Sequence, residues 1–319
     1  MRIGIVVDSA CDLPAEFIRR HGIEILPQQV RIGDALLRDR HDDDERRHCL
    51  ASRSLVHERS IETLPPTVDD VRRLLLERWV IDYDHLFCLT TSGRRSRLHH
   101  NVMQAGFAIL NDYHPLRQAA GHASPFALRV IDTHSLSVGQ GITAHEAVRL
   151  RGAGESVARL RARLELLAAH TYAYVVPRDP RYLAARTQDR IERGVGMAGA
   201  IVGDLLDMKP LIRGHRGTHV AVAMVRGFES AVRRLFDFTR RRIESGLLAP
   251  VLCVGYGGEL SELRALPGHE ALRNACIAAG GVMTECSLSL TSLADLGYGA
   301  LGVGFAAGPH AFDDGITSG

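Results

Sequence analysis

Apolar and polar positions along the chain alternate between two periods. Short apolar runs of strand length stand at residues 2–7, 85–89 and 127–131, the pattern of buried strands. Amphipathic stretches follow them. Leu13-Pro14 opens one that runs to Arg20 and stops at His21-Gly22. A second reaches about residue 110, and a third covers about 139–151. Thr67 has the signature of a helix cap, with Asp69 and Asp70 in the first turn and Val71, Leu74 and Leu75 on one face. Residues 23–32 read as one further extended segment. Strands alternating with helices predict βαβ units and a parallel sheet flanked by helices.

Near residue 168 the pattern changes. A strand is predicted at 172–176, a Gly/Ala-rich helix at 194–206, an alternating segment at 218–225 and a strongly basic helix at 229–243. Further strands are predicted at 251–254, 282–286 and 300–305. The expected organisation is an N-terminal α/β domain over residues 1–168, a C-terminal α/β domain over 169–307 and a flexible polar tail over 308–319. The length of 319 residues and 45% hydrophobic content agree with two domains.

Composition narrows the class. The apolar run near the N-terminus stops at Asp8, short of a secretion signal, and no later run has membrane length without a charge or a glycine-rich break. The expectation is a soluble cytoplasmic protein without a transmembrane segment. The six cysteines are scattered and contain no C-x-x-C pair, so buried thiols are expected rather than disulfides. Net charge is +2 and aromatics make up 5%, which speaks against nucleic acid as a partner. The acidic and basic run RDRHDDDERR at 38–47 lacks the spacing of a Ca²⁺ loop and reads as a solvated loop and helix face. Lys209 is the single lysine among 39 basic residues. It is expected where a compact ammonium is needed.

Candidate chemistry gathers at strand ends. Three predicted N-terminal strands finish in Asp8-Ser9, Thr90-Thr91-Ser92 and Asp132-Thr133. In a parallel sheet such ends share one edge, where ligands bind. Hydroxyls and helix N-termini there suit a carboxylate or a phosphate, although the same residue types are favoured as helix caps. The chain has no G-x-S-x-G elbow, no H-E-x-x-H and no Walker loop. The adjacent His99 and His100 point to different helix faces and suit no metal clamp. No catalytic residue, metal site or cofactor is expected.

Four segments resemble the DegV family. IVVDSACDLP (5–14) resembles its opening strand and D-S-x-x-D-L-P turn. VIDTHSLSVGQG (130–141) resembles its third signature, with Asp132, Ser137, Gly139 and Gly141 in register. GDLLDMKPLI (203–212) is similar to its G-x-L-L-x-x-K-P segment and accounts for Lys209. GALGVGF (299–305) is similar to its closing strand. The resemblance implies a two-domain fold in which an N-terminal parallel sheet and a C-terminal α/β domain with a mixed sheet enclose a lipid tunnel. It implies a fatty-acid carrier whose hydroxyls hold the ligand carboxylate, and which presents it to a fatty acid kinase for phosphorylation and phospholipid synthesis. Burying about 14 methylenes at about 0.8 kcal/mol each gives roughly 11 kcal/mol. Association and chain ordering offset part of that.

The headgroup motifs depart from the family. Its T-S-Q-P-S loop corresponds to Thr63-Leu64-Pro65-Pro66-Thr67, in which Thr63 is kept and the next two positions are not. Its S-S-x-x-S-G-T segment corresponds to residues 90–96, where Thr90, Thr91 and Ser96 keep hydroxyls, Ser92 adds one, and Arg94-Arg95 replaces Ser-Gly. Its H-T-G-P-G corresponds to 295–299, so its histidine has become Asp295. Its arginine corresponds to Arg190 or Arg193, of which Arg193 is carried as the ligand-binding candidate. An aspartate beside a bound carboxylate is unfavourable when both are ionised. Either Arg94 or Arg95 turns inward to neutralise the pair, or Asp295 is paired elsewhere, or the ligand is not a simple fatty acid.

The implied ligand site is therefore Thr63, Thr90, Thr91, Ser92, Arg94, Arg95, Ser96, Arg193 and Asp295, supported by Asp8, Ser9, Asp132, Ser137 and Lys209. The expected partners are a long-chain fatty acid and a fatty acid kinase, with the chain a monomer. Arg226, Arg233, Arg234 and Arg240 to Arg242 form either a docking face for an acidic partner or a solvated helix face. The alternative is a hydrolase or phosphotransferase using Asp8, Ser9 and the strand-end hydroxyls on a phosphorylated substrate. A third possibility is an acyl-sensing regulator with the same tunnel.

Overall fold

The computed structural model of the protein describes residues 1–52, 55, 61–187 and 207–313. Its strands, in chain order, are β1 (Ile3–Asp8), β2 (Ile23–Leu26), β3 (Gln29–Ile32), β4 (Ala35–Arg38), β5 (Ile61–Leu64), β6 (His85–Thr90), β7 (Ala127–Asp132), β8 (Thr171–Val176), β9 (Met208–His215), β10 (Thr218–Arg226), β11 (Val251–Tyr256), β12 (Val282–Ser287) and β13 (Leu301–Ala306). They form a four-stranded sheet in the order β2-β1-β6-β7 and a six-stranded sheet in the order β10-β9-β8-β13-β11-β12. The first is parallel throughout. The second is mixed: only β11 and β12 run parallel, and the other pairs are antiparallel. This is the expected α/β architecture with a parallel and a separate mixed sheet.

One expectation is corrected. Residues 23–32 are not a single extended segment. They split at Pro27-Gln28 into β2, which joins the parallel sheet, and β3, which pairs with β4 and β5 in a small antiparallel sheet. Proline lacks a backbone donor and cannot continue the ladder. Gln28 beside it is turned into the protein, its N–H donating to Ser9 Oγ at 2.9 Å and its side chain to Asp8. The run at 38–47 also differs from a purely solvated stretch: Asp39 is buried. The Gly/Ala-rich segment 194–206 lies outside the described residues.

Helix Val138–Gly152 is the shared element. It packs against β1 and β6 on one side and β8, β11 and β13 on the other, and nearly all of it is buried. Its composition explains the fit. A Cβ at Gly304 of β13 would stand 2.7 Å from the Val138 carbonyl oxygen. Only glycine lets strand and helix start approach so closely. Helix Val157–His170 then covers helix Val138–Gly152 and leads directly into β8.

Thr67 caps helix Val68–Leu74 in a full capping box with Asp70. All six cysteines are buried thiols, none in a disulfide among the described residues. The polar tail expected from residue 308 carries two anchors: His310 Nε2 lies 3.1 Å from the Tyr174 hydroxyl, and Phe312 packs against Phe238. Among the described residues no helix is long and apolar enough to cross a membrane.

Candidate functional site

The strands β1, β6 and β7 end on one edge, as their parallel pairing requires. Most of their terminal hydroxyls serve the protein itself. Asp8 is buried and accepts four hydrogen bonds, from Thr91 N, Ala10 N, Gln28 Nε2 and Gln140 Nε2. Burial raises its pKa against the pull of those donors. Thr90 Oγ1 donates to the Ile131 carbonyl and meets His99 Nδ1 at 3.0 Å. Thr133 Oγ1 donates to the Thr90 carbonyl. Asp132 accepts from Gly93 N and from His134 N and lies 3.3 Å from His134 Nδ1. Burial of Asp132 works against ionisation, but the contacts with His134 and Gly93 together hold its pKa low. These groups tie three loops to one another.

Above that edge, buried carboxylates join the loops to the second sheet's side. Asp12 accepts from Ser137 Oγ at 2.5 Å and from Ser289 N at 2.7 Å. Asp39 accepts from Thr291 N and Thr291 Oγ1 at 2.8 and 2.7 Å, and Ser9 Oγ lies 3.2 Å from Thr291 Oγ1. Ser289 caps helix Leu290–Leu296 through Ser292 N. The helix start is thus fixed to the β1 loop, and Asp295 stands near its far end. Ser137 has φ 55° and ψ −133°, a costly conformation for a residue with a Cβ. Its hydrogen bond to Asp12 holds it there and sets the start of helix Val138–Gly152.

Two adjoining cavities lie beside this framework. The outer one, about 260 Å³, is polar at its rim and is lined by Thr63, Thr91, Arg95, Ser96, Thr291 and Asp295 among others. The inner one is a narrow apolar slot of about 30 Å³ between the mixed sheet and the start of helix Val138–Gly152, walled by Leu136, Val138, Ala173, Val175, Leu183 and Ile212, with Ser137 and His219 also lining it. Arg95, Leu136 and Asp295 line both. The slot has room for about one water, so the expected tunnel takes the form of a closed slit. His219 lies close to Arg95. Burial, with the nearby Arg95 charge second, lowers its pKa to about 3, so the imidazole is neutral at pH 7.

The predicted site residues divide accordingly. Thr63, Thr91, Arg95, Ser96 and Asp295 come together around the outer cavity. Thr90 and Ser92 do not line either cavity. Thr90 is engaged as above, and Ser92 is buried with its Oγ unpartnered, close under the Gly217 turn. Arg94 turns away toward Thr218 Oγ1 at 3.4 Å. Lys209 lies away from both cavities, donating to the Arg178 carbonyl and pairing with Asp207, each at 3.0 Å. Arg190 and Arg193 lie outside the described residues. Sequence reasoning missed Leu136, Thr291 and His219. His219 occupies an alternating strand and carries no local signal that separates it from fifteen other histidines.

The frame is that of a two-domain α/β protein with a polar cavity adjoining an apolar slot. A family model described as an uncharacterised protein of the DegV family matches residues 2–308, and the chain belongs to that family. A DegV domain-containing protein of Xanthomonas axonopodis pv. citri is 56% identical over 312 residues, covering 98% of this chain and 99% of the relative. One from Xanthomonas campestris pv. campestris is 54% identical over the same length, with the same coverage. Among solved structures, a DegV lipid binding protein from Thermotoga maritima superposes with a TM-score of 0.75 at 19% identity, over 96% of this chain and 98% of that one. A fatty-acid-binding DegV family protein from Thermus thermophilus gives 0.73 at 23% identity, over 96% and 100%. At these identities the likeness establishes the fold.

Proposed function

We propose that the protein binds a long-chain fatty acid, with its carboxylate in the outer cavity and its chain in the slot, and does no chemistry of its own. The observation that carries this is that the polar cavity and the apolar slot adjoin, sharing Arg95, Leu136 and Asp295 in their linings. In this reading Arg95 neutralises the ligand carboxylate, with Thr63, Thr91 and Ser96 as hydroxyl donors. Arg193 is a further candidate. Asp295 opposes the ligand charge and makes Arg95 indispensable. Thr90, Ser92, Asp8, Ser9, Asp132 and Ser137 shape the mouth, and Lys209 and Arg94 act only on the fold. Neighbours of the same fold described as binding fatty acids support the reading. The hydrolase alternative draws no support from Asp8 and Ser9, whose side-chain oxygens are engaged with the protein.

The finer assignment is a cytoplasmic carrier, monomeric, with domains meeting near residue 168, that presents the carboxylate to a fatty acid kinase. Native mass spectrometry of the protein from cells, with solvent extraction of what it carries, tests the core of it. One fatty acid per chain is expected. A protein that is empty and also refuses added palmitate and oleate would end the reading.

A further inference from the structure

Among the described residues, the mixed sheet contributes Ala173 and Val175 from β8, Ile212 from β9 and His219 from β10 to the slot wall, and only His219 is polar. Register makes these positions neighbours. Val175 pairs with Ile212, Ala173 pairs with Gly214, and Gly214 pairs in turn with His219. Gly214 leaves space for the imidazole: a Cβ there would stand 3.1 Å from His219 Nε2. The sheet itself thus sets a polar ring into an otherwise aliphatic wall.

His219 Nδ1 is buried and has no hydrogen-bond partner among the described residues. Buried polar atoms of native proteins are nearly always hydrogen-bonded, so this one calls for a partner that enters the slot. Burial, with the Arg95 charge second, keeps the imidazole neutral at pH 7. It offers one donor and one acceptor nitrogen and no charge. A hydroxyl both gives and takes a hydrogen bond, so it suits either tautomer. A methylene chain offers the ring nothing.

The position of that hydroxyl follows from the neighbours. Arg95 lines the slot with His219 and lines the outer cavity as well, and so does Asp295. With a carboxylate at Arg95, the carbons that pass His219 are the first few of the chain. An ionised Asp295 at the same junction accepts hydrogen bonds and gives none, so a donor on those carbons serves it too.

We propose that the ligand is a hydroxy fatty acid with its hydroxyl on C2 or C3, and that His219 is the residue that recognises this hydroxyl. The claim rests on the fatty-acid reading and narrows it. A site built to hydrogen-bond a ligand hydroxyl discriminates against the analogue that lacks it, because its own buried polar group is then left unpaired.

The test is displacement of a fluorescent acyl probe from the full chain. The competitors are palmitate, 2-hydroxypalmitate, 3-hydroxypalmitate, stearate and 12-hydroxystearate. The variants are His219→Ala, which removes the ring and only adds room, and His219→Gln, which keeps a donor and an acceptor; circular dichroism checks both folds. Wild type is expected to bind one of the two hydroxypalmitates about tenfold or more tightly than palmitate, and 12-hydroxystearate no more tightly than stearate. His219→Ala is expected to bring plain and hydroxylated palmitate within about twofold of each other, and His219→Gln to keep part of the preference. Equal binding of palmitate and both hydroxypalmitates by wild type overturns the proposal. So does a preference that survives in His219→Ala, or an equal gain for 12-hydroxystearate. In those cases palmitate still binds and the fatty-acid reading stands. If the chain takes up neither the probe nor any of the acids, both fall together.

Discussion

Asp12 and Ser289, 277 positions apart, are joined by a buried 2.7 Å hydrogen bond from the Ser289 N–H to the Asp12 carboxylate. The other Asp12 oxygen takes the Ser137 hydroxyl. One side chain thus ties the loop after β1 to the starts of helices Val138–Gly152 and Leu290–Leu296, the elements that carry Val138 and Asp295 into the cavities. Replacing Asp12 by Ala strands two buried donors, each costing about 1–3 kcal/mol. Urea denaturation is expected to show a loss of about 3 kcal/mol, and acyl binding is expected to weaken because Asp295 and the slot wall lose their anchor. An unchanged midpoint would remove the staple from the account.

Arg94 and Arg95 are adjacent but differently placed, Arg94 Nη1 3.4 Å from Thr218 Oγ1 and Arg95 lining both cavities, so the pair tests which of them the proposed ligand meets. Arg95→Ala is expected to weaken fatty-acid binding by at least tenfold, the scale of a hydrogen bond to a charged group at about 1.5–3 kcal/mol. Arg94→Ala is expected to change it less than twofold. Asp295→Asn is expected to tighten binding, because it removes a like charge from the mouth. Titration of a fluorescent acyl probe reads all three, and equal losses for both arginines would place the carboxylate elsewhere.

Chain length should respond to the slot wall. Val175→Phe adds volume between β8 and the slot and costs about 1–3 kcal/mol of stability as an overpacked core change. Binding of palmitate and oleate is expected to fall by tenfold or more, while octanoate is affected less. If all lengths bind as before, the chain does not run past Val175.

His219 sets an acid limit. Its folded pKa is about 3 against 6.5 ordinarily, so between those values the unfolded chain binds a proton that the folded chain does not. Stability therefore falls as pH drops through that window. Thermal melts from pH 7 to 4 are expected to show a shallower decline for His219→Gln than for wild type. Parallel curves would mean that His219 titrates normally.

Much of the frame was legible in the sequence because local pattern dictates it. The apolar runs of β1, β6, β8 and β13, the Thr67 cap and the basic amphipathic helix, observed as Phe228–Glu244, can each be read from neighbours in the chain. The parallel sheet followed from the alternation of strands and helices, whereas the close approach of Gly304 to Val138 appears only in the folded structure. The break at Pro27-Gln28 was visible only as a proline, since what decides it is the reach of Gln28 to Asp8 and Ser9.

The residues around the mouth were legible only in part. Chain order by itself determined which loops share the sheet edge, and so the neighbourhood of Thr91, Arg95 and Ser96. It did not determine that Thr90 turns inward to His99, that Arg94 turns to Thr218, or that His219 and Leu136 face the slot. Those orientations rest on hydrogen bonds and packing between segments far apart in the chain. The free energy that selects them appears only when the two sheets close on helix Val138–Gly152. The buried Arg117 makes the same point: its charge is held by the carbonyls of Val80, Tyr83 and Ser124 and by Asp84. An arginine in a sequence reads as surface until the fold supplies those acceptors.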